Sequence, residues 1–243
     1  MLTPAAWEAI HAWATARLGA PADTLRGVGV HAQAHGAAFA DYHGVYVWAM
    51  GQAAIVSAPA AWLARVESAA LRQAPAALTE PAFWRAALGE ASIERIVGPS
   101  YQGFVDADAF HPVDARDVHP LIPADEADLR AFIAACPPDD WDDSAIAPDH
   151  DTIFGLRRAG TLVALASAPR DALGMRSVGV VTLPAWRGQG CGRAVVSALT
   201  ARWLANGSPV LHYQTLRANL GSVAVARALG YADAASALAI RLR

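Results

Sequence analysis

The chain has 243 residues, of which 54% are apolar and 17% charged, so it can bury a core and does not resemble a disordered segment. Its net charge of −3 argues against a broadly basic nucleic-acid binder, and its two cysteines cannot form a disulfide framework or a cysteine-type zinc site. The N-terminus lacks a basic, apolar leader, and no apolar run reaches about 18 residues. These features predict a cytoplasmic protein without a membrane span.

The first part of the chain, residues 1–116, is predicted to be a smaller α/β domain of unknown role. Its first helix carries Trp7, Ile10, Trp13 and Leu18 roughly on one face. The predicted elements that follow are a hairpin of 44–51 and 52–59, helices near 60–73 and 80–89, and a strand at 93–100. No motif in this part indicates a particular chemistry.

The proline-flanked stretch at 111–120 predicts a boundary, and residues 117–243 form the second predicted domain. Its predicted elements are a strand near 117–121, a helix at 123–136, an acidic irregular stretch at 137–151, strands at 152–158, 161–168 and 177–183, a helix ending at Asn206-Gly207, a strand at 209–215, a helix at 221–230 and a terminal strand. Strands and helices alternate after residue 177, which indicates an α/β layer arrangement.

The segment Trp186–Arg193, WRGQGCGR, places three glycines and two arginines between a predicted strand and a predicted helix. Glycine costs a helix about 1 kcal/mol relative to alanine, so these glycines predict a close approach at the helix start. The first amides of a helix lack partners and the helix dipole is positive there, which favours phosphate. Residues 172–232 contain no Asp or Glu but six arginines, which agrees with an anion site.

Two common phosphate motifs do not match this loop. Gly188 and Gly190 fit the first two positions of G-x-G-x-x-G, but the third falls on Arg193, and no acidic residue follows to hold a ribose. A Walker A loop needs a lysine, and the chain has none. A dinucleotide fold and a P-loop are therefore both disfavoured.

The loop does match R-x-x-G-x-G, as Arg187 to Gly192, and a second match, N-x-x-S/A … G-F/Y, runs from Asn219 to Tyr231. With these two motifs in register, residues 117–243 resemble the GCN5-related N-acetyltransferase (GNAT) superfamily. The resemblance covers about half of the chain. It implies an α/β (α+β) fold with a mixed central sheet and flanking helices, and acetyl-CoA as the cofactor. The first part loosely resembles half of such a domain without the loop, and is interpreted as a possible degenerate copy.

The resemblance also implies which residues hold the cofactor. The backbone of Val180, Val181 and Thr182 would pair with the pantetheine arm. The loop residues implied for the pyrophosphate are Arg187, Gly188, Gln189, Gly190, Cys191, Gly192 and Arg193. Asn219 and Ser222 match positions that contact the cofactor, although Asn219 is also a suitable helix N-cap. Cys191 is interpreted as a small apolar residue and not as a nucleophile.

Chemistry in the family is direct attack of a neutral amine on the thioester, which requires a proton acceptor. The tyrosine that often protonates the leaving thiolate is replaced here by Ala226, and the usual strand glutamate is absent. Tyr213 and His212 are the catalytic candidates, and only one of them can face the cleft because neighbours on a strand alternate.

Three residues of the acidic stretch are candidate acceptor-binding residues: Asp140, Trp141 and Asp142. They could attract and stack on a cationic amine, or they could belong to a solvated loop. A metal site is not expected.

The predicted function is acetyl-CoA-dependent transfer to a primary amine of a small-molecule or peptide acceptor. The alternative is a non-catalytic acyl-CoA binding or sensing module. Neither a nucleic acid nor a membrane is expected as a partner, and a monomer or homodimer is expected.

Overall fold

The protein is described over residues 1–243 by a computed structural model with ten strands and seven α-helices. The strands are β1 Gly29–Ala34, β2 Gly44–Met50, β3 Ala53–Ala58, β4 Ile93–Val105, β5 Val118–Pro120, β6 Ile153–Arg158, β7 Thr161–Ser167, β8 Arg176–Thr182, β9 Leu211–Leu216 and β10 Ala232–Leu242. The helices are α1 Pro4–Leu18, α2 Ala60–Ala70, α3 Pro81–Leu88, α4 Glu126–Ala135, α5 Pro138–Asp143, α6 Cys191–Ala205 and α7 Leu220–Ala228.

The chain packs as two compact units, each built from several segments. The first unit comprises Met1–Thr3, Phe104–Tyr213 and Gly221–Ala232. The second unit comprises Pro4–Gly103, Gln214–Leu220 and Asp233–Arg243. The division into 1–116 and 117–243 stays a prediction about which parts of the chain fold alone.

The second unit contains the β2–β3 hairpin, whose turn uses Gly51 at a positive φ of 56°. Its strands lie in the order β1-β3-β2-β10-β4, with β1 parallel to β3 and β10 antiparallel to β2. Alternate residues of β2, such as Val45 and Val47, share a buried apolar cluster with Trp84 of α3. Trp48 lies on the other face of β2 and meets Trp13 of α1 edge to face at 5.8 Å.

The first unit contains a mixed sheet with the order β9-β8-β7-β6-β5. Strands β5 to β8 are antiparallel neighbours, and β8 pairs with β9 in parallel. Helix α6 packs along β6, β7 and β8 on one face. On the other face Val181 of β8 shares a buried cluster with Phe132 of α4 and Ile146. The predicted mixed sheet with flanking helices is confirmed.

The helix and strand types predicted from the sequence are confirmed for most elements, with two differences. The stretch 137–151 is not wholly irregular, because α5 spans Pro138–Asp143. Proline in the first turn together with Asp139 and Asp140 favours a helix start there. The second difference is β1, which the sequence did not predict. None of the helices combines the length and the apolar character needed to cross a membrane.

Candidate active site

The strands β8 and β9 run side by side only briefly. Their register covers Arg176–Val178 against Leu211–Tyr213 and then ends. The opposite edge of β8 stays paired with β7 as far as Thr182. The edge of Gly179–Thr182 that faces away from β7 therefore has no strand partner, and an extended ligand with amide groups can add to it. The predicted pantetheine-binding residues Val180, Val181 and Thr182 all lie on this edge.

The glycine loop leads directly from this edge into α6. Gly188 and Gly190 have positive φ angles of 73° and 81°, conformations that glycine adopts at no steric cost. Gly190 is the N-cap of α6 and provides no side-chain cap, so the first amides, from Cys191 to Arg193, have no capping partner. Uncapped helix-start amides form a site for a phosphate group. The structure thus provides a polar cradle that fits a pyrophosphate.

Gly192 has a different role from the other two glycines of the loop. A Cβ built on Gly192 would lie 3.0 Å from the hydroxyl oxygen of Thr182 and 3.8 Å from Cγ2 of Val180. The missing side chain therefore lets the start of α6 pack against the end of β8. The helix start and the open strand edge are held together at this contact, so the two parts of the predicted cofactor site are adjacent.

Arg187 ties the loop to two neighbouring segments. Its Nε donates to the carbonyl oxygen of Thr182 at 3.1 Å, and its Nη2 donates to Asp140 Oδ2 at 2.6 Å. Gln189 turns back on the loop, where its amide donates to the carbonyl of Ala185 at 3.0 Å. Arg193 is exposed at the helix start. Residues 172–232 contain six arginines and no Asp or Glu. Of these arginines, Arg187 and Arg193 lie at the loop itself.

Arg176 also lies within residues 172–232, but its contacts are away from the glycine loop. Its guanidinium carbon lies 3.4 Å from the ring centroid of Trp203 of α6, and Nη1 donates to the carbonyl of Ala168 at 2.6 Å. Burial lowers the pKa of Arg176, and the nearby Arg170 lowers it further. Arg176 therefore stabilises the contact between α6 and the start of β8, and it does not contribute to the loop.

The three predicted acceptor-binding residues lie on α5, in three different environments. Asp140 is bound to Arg187. Trp141 is partly buried and packs against the apolar cluster that contains Phe132 and Val181. Asp142 is exposed. The structure thus separates these side chains, and their contact with an acceptor stays a prediction.

Tyr213 and His212 lie where the β8–β9 pairing ends. Tyr213 is 1% exposed, and its hydroxyl lies 2.9 Å from the hydroxyl oxygen of Ser222. Burial raises the pKa of Tyr213 to about 12, while the hydrogen bond with Ser222 acts in the opposite direction. The Tyr213 ring also meets Tyr231 edge to face at 5.3 Å. Tyr213 therefore stays protonated at neutral pH and can donate a proton or a hydrogen bond.

His212 is 3% exposed and lies beneath the ring of Phe104, with the two ring centroids 4.8 Å apart. Its Nδ1 lies 2.9 Å from the hydroxyl oxygen of Ser177, the residue opposite it in the β8–β9 register. The two predicted catalytic residues are thus buried and hydrogen bonded.

The two residues predicted to contact the cofactor beyond the thioester lie at the start of α7. Asn219 is exposed and immediately precedes α7, and Ser222 in α7 is partly buried.

Two features of the site were not predicted from the sequence. His150 Nδ1 lies 2.8 Å from the hydroxyl oxygen of Ser167, which is fully buried at the end of β7. A Cβ on Gly179 would lie 2.5 Å from the carbonyl oxygen of Ser144, so the segment after α5 crosses β8 closely. The glycine inside the apolar run of β8 is a signal for such a crossing. No group of three or more His, Cys, Asp or Glu side chains is arranged to hold a metal ion.

Comparisons with known proteins agree with this geometry. Residues 119–231 match the Acetyltransferase (GNAT) family. No curated protein matches the chain in sequence.

Two similar solved structures come from Colwellia psychrerythraea and Kribbella flavida. The first is an acetyltransferase from the GNAT family, 17% identical over 65% of this chain and 61% of its own, with a TM-score of 0.49. The second is a GCN5-related N-acetyltransferase, 21% identical over 65% of this chain and 66% of its own, with a TM-score of 0.47. The chain thus spans less than two thirds of the length of either protein.

A third similar structure is the aminoglycoside N-acetyltransferase AAC(6′)-Iy in complex with CoA, which is 20% identical over 49% of this chain and 88% of its own, with a TM-score of 0.38. The family match indicates that the cofactor is acetyl-CoA, in agreement with the uncapped start of α6 and the open edge of β8. Residues 119–231, which contain this loop and this strand edge, therefore match an acetyltransferase domain of the GNAT family.

Proposed function

We propose that the protein transfers an acetyl group from acetyl-CoA to a primary amine of a small-molecule or peptide acceptor. The observation that carries the proposal is the open backbone edge of Gly179–Thr182 beside the uncapped start of α6, within the residues that match the family. The open strand edge can bind an extended arm that carries amide groups, and the helix start beside it can bind a pyrophosphate. The acceptor would meet the thioester near Val178 and Tyr213, where the pairing of β8 and β9 ends.

Different residues of the site bind different parts of acetyl-CoA. Bound acetyl-CoA supplies a thioester whose carbonyl carbon is the electrophile for an amine. The amides from Cys191 to Arg193 hold the pyrophosphate, and Arg187 keeps the loop attached to Thr182. The backbone of Val180–Thr182 pairs with the pantetheine amides. These contacts fix the thioester in position, and fixed orientation is a large part of the rate gain in reactions between two bound groups.

Proton transfer would involve side chains at the point where the pairing of β8 and β9 ends. The Tyr213 hydroxyl is protonated, because burial raises its pKa to about 12, so it serves as a donor to the departing sulfur and not as a base. The amine has to lose a proton before it attacks, and that proton needs a route to solvent. His212 is almost completely buried, which makes it a poor carrier of protons to solvent.

The alternative function is an acyl-CoA binding module without transfer. Two observations favour it: alanine occupies the position of the family's usual tyrosine, at Ala226, and the hydroxyl of Tyr213 is buried against Ser222. Under this alternative the protein binds acetyl-CoA as tightly as an enzyme does, but releases no thiol when an amine is added.

Thermal unfolding with acetyl-CoA, NAD or ATP tests the cofactor assignment first. A ligand that binds only the folded state stabilises it by about 2.7 kcal/mol at about 100 times its Kd. We expect stabilisation by acetyl-CoA alone, and weaker binding for Arg193→Glu. Arg202→Glu is the matched control, because it makes the same charge change in the last turn of the same helix. Absence of any acetyl-CoA effect on the wild type would overturn the assignment.

Thiol release then separates the enzyme from the binding module. Spermidine, tyramine, kanamycin and a lysine-containing peptide are incubated with acetyl-CoA and the protein, with their N-acetylated forms as controls. Release with a primary amine and none with its acetylated form would support transfer. Stabilisation by acetyl-CoA without release from any amine would favour the binding module.

A further inference from the structure

Strand β1 of the second unit, Gly29–Ala34, has a strand on one side only. It is the terminal strand in the order β1-β3-β2-β10-β4 and pairs with β3 along its whole length, from Ala53 to Ala58. No strand lies beside its other edge. An open edge of this kind presents a row of backbone groups with which another strand can pair.

The hydrogen bonds at the two ends of β1 establish which of its backbone groups face β3. The amide of Gly29 donates to the carbonyl of Gln52 at 2.8 Å, and the amide of His35 donates to the carbonyl of Ala58 at 3.0 Å. In a parallel pair the residues that bond to the neighbouring strand alternate with residues that do not. Gly29 and His35 both face β3, so the odd-numbered residues between them face β3 as well.

The backbone groups of Val30, Ala32 and Ala34 therefore point away from β3, toward the open edge. No backbone or side-chain group of the chain forms a hydrogen bond with them. Val30 and Ala32 are partly buried, and backbone groups in such places are normally paired. The edge thus offers three amides and three carbonyls to an incoming strand.

The edge of β1 lacks the features that usually prevent pairing with another chain. Proteins protect open edges with charged side chains, proline, bulges or very short strands. Strand β1 has six residues in an unbroken register, and residues 27–40 contain no charged side chain and no proline. By contrast, β5, the edge strand of the first unit, has three residues and ends with Pro120. Only the β1 edge of these two is suited to pairing.

A second copy of the same strand matches this edge in its hydrogen bonding. Two β1 strands can run antiparallel about a two-fold axis at Ala32, so that Val30 of each copy faces Ala34 of the other. Both residues of each such pair have outward backbone groups, as does Ala32, which faces itself across the axis. A pair of this type exchanges two hydrogen bonds, so three pairs give six. The two-fold axis closes the interface, which corresponds to a dimer and not to a fibre.

The side chains are complementary in the same register. Directly opposed residues of antiparallel strands share a face, so Val30 meets Ala34 on one face and His31 meets Gln33 on the other. Val30 packs on the apolar cluster beneath α2, and alanine opposite it adds a small apolar group. His31 Nε2 already lies 3.0 Å from Gln33 Oε1 within one copy. The same two groups meet across the axis, and no pair places like charges opposite each other.

Val28, immediately before β1, is consistent with this pairing. Its side chain is 82% exposed, although it is apolar. In the register about Ala32, Val28 of one copy lies opposite Gly36 of the other, and a residue without a side chain leaves room for it. The second copy would therefore remove apolar surface from water as well as pair the backbone groups.

We propose that the protein forms a two-fold symmetric homodimer in which the β1 strands of two copies pair antiparallel about Ala32. The pairing joins the sheets of the two copies through this edge. Open edges also accept extended peptides of other proteins, but this one matches itself in backbone groups, in side chains and in its lack of charge. The proposal concerns the second unit and does not depend on acetyl transfer.

Sedimentation velocity of the full-length protein over a wide range of concentration tests the dimer. Ala34→Pro removes an outward amide and no bond to β3, so it should leave the fold intact. It deletes two of the six hydrogen bonds, because each copy loses one, and should raise the dimer dissociation constant by about 10–100-fold. Ala34→Val keeps the amide at the same exposed position and is the matched control. Circular dichroism verifies that both variants are folded.

Ala32→Pro makes the same change at the centre of the pairing, where the two copies meet. Its amide also points outward, so the bonds to β3 stay intact, and it should weaken the dimer at least as much as Ala34→Pro. If Ala32→Pro fails to fold, Ala34→Pro still decides the question, because residue 34 is exposed and lies at the end of β1.

Amide hydrogen exchange measured by NMR gives a readout for single residues. The amides of His31 and Gln33 face β3 and should exchange slowly at every protein concentration. The amide of Ala32 should exchange fast in the monomer and become protected as the concentration rises. Ala34→Pro should reduce this protection, and Ala34→Val should keep it.

Three results would overturn the proposal. One is a wild-type protein that stays monomeric at every concentration. Another is a dimer that Ala34→Pro weakens no more than Ala34→Val does, with an Ala32 amide that still exchanges fast. The third is an Ala32 amide that is protected in the monomer, which would mean that another segment of the same chain covers the edge. None of these results would affect the binding of acetyl-CoA proposed for the first unit.

Discussion

Gly230 follows α7 at a positive φ of 88°, and a Cβ built on it would lie 1.9 Å from the carbonyl oxygen of Ala109. The glycine of the G-F/Y pair is therefore required for two reasons, a left-handed backbone and a direct backbone contact. Gly207, after α6, has a similar φ of 83° but nothing near its missing side chain. A comparison of the two glycines therefore separates the energetic cost of a left-handed backbone from the cost of a steric contact.

Gly230→Ala should lower the free energy of unfolding by about 3 kcal/mol or more, because the backbone around Ala109 has to move. Gly207→Ala should cost only about 1–2 kcal/mol, the price of a left-handed alanine. Urea unfolding of the two variants and the wild type measures the difference. Equal losses for both variants would mean that Ala109 adapts freely and that the contact has no energetic effect.

Tyr213 links burial to pH-dependent stability. Burial raises its pKa in the folded protein to about 12, against about 10 in an unfolded chain. Between these values the folded state binds more protons than the unfolded state, so stability is full below about pH 10 and falls as the pH rises toward about 12. A shift of this size corresponds to a loss on the order of 3 kcal/mol.

Tyr213→Phe should therefore flatten the fall in stability between about pH 10 and about pH 12. Ser222→Ala should steepen it, because the hydrogen bond from Ser222 opposes the rise in the pKa of Tyr213. Urea unfolding across this pH range gives both slopes. Identical slopes in the wild type and Tyr213→Phe would contradict the buried, protonated tyrosine described for the site.

At the level of elements, the ion pair between Asp140 and Arg187 joins α5 to the glycine loop across 47 positions of sequence. Both side chains are partly exposed, so the pair itself should contribute less than about 1 kcal/mol to stability. Its larger effect is electrostatic. The carboxylate of Asp140 offsets the positive charge of Arg187 beside the uncapped start of α6.

Asp140→Asn should therefore tighten acetyl-CoA binding by about 2–5-fold at low salt, and this gain should shrink as salt rises. Asp142→Asn removes the same charge from an exposed position of the same helix and should change the Kd much less. Isothermal titration at two salt concentrations measures both. If Asp140→Asn instead raised only the KM for the amine, the predicted acceptor role of Asp140 would be supported.

The glycine loop illustrates how much of this site the sequence could predict. The spacing of Arg187, Gly188 and Gly190 after a strand predicts a helix start that binds phosphate, because those constraints are local. The packing of Gly192 against Thr182 depends on how a helix lies on a strand, and no local pattern reports it. The bond between His150 and Ser167 likewise joins a loop to a strand end 17 residues away.

The mixed sheet was predictable for a similar reason. Alternating strands and helices after residue 177 predict layers, and the two motifs fix the register of one helix and one strand between them. The short β1 was not predictable, since Gly29–Ala34 shows no clear alternation and is only partly buried. Its place beside β3 depends on a parallel pairing with a strand that begins 24 positions further along the chain.

On the scale of the whole molecule, the segment before residue 117 contacts residues that match the GNAT family model. Phe104 covers the ring of His212, and the amide of His111 donates to the carbonyl of Leu229 at 3.1 Å. The amide of Val113 donates to the hydroxyl of Ser197 in α6 at 3.0 Å. These contacts all lie within the first unit, so the first unit is incomplete without residues 104–116.

A fragment of residues 117–243 should therefore fail to unfold cooperatively, and acetyl-CoA should not stabilise it. It lacks the three contacts above, and its β10 loses β2, with which it pairs from Ser236 to Arg241. A fragment of residues 104–243 is the matched comparison, because it restores the contacts of Phe104, His111 and Val113 but not the partner of β10. We expect it to regain part of the cooperative transition.

Circular dichroism during urea unfolding, with and without acetyl-CoA, distinguishes the possibilities. If 104–243 binds acetyl-CoA and 117–243 does not, residues 104–116 belong to the cofactor-binding fold and the predicted boundary lies too far along the chain. If 117–243 unfolds in one steep transition that acetyl-CoA moves as far as in the full chain, the boundary at residue 116 is supported. In that case the cover that Phe104 gives to His212 is dispensable, and His212 would be exposed enough to carry protons to solvent.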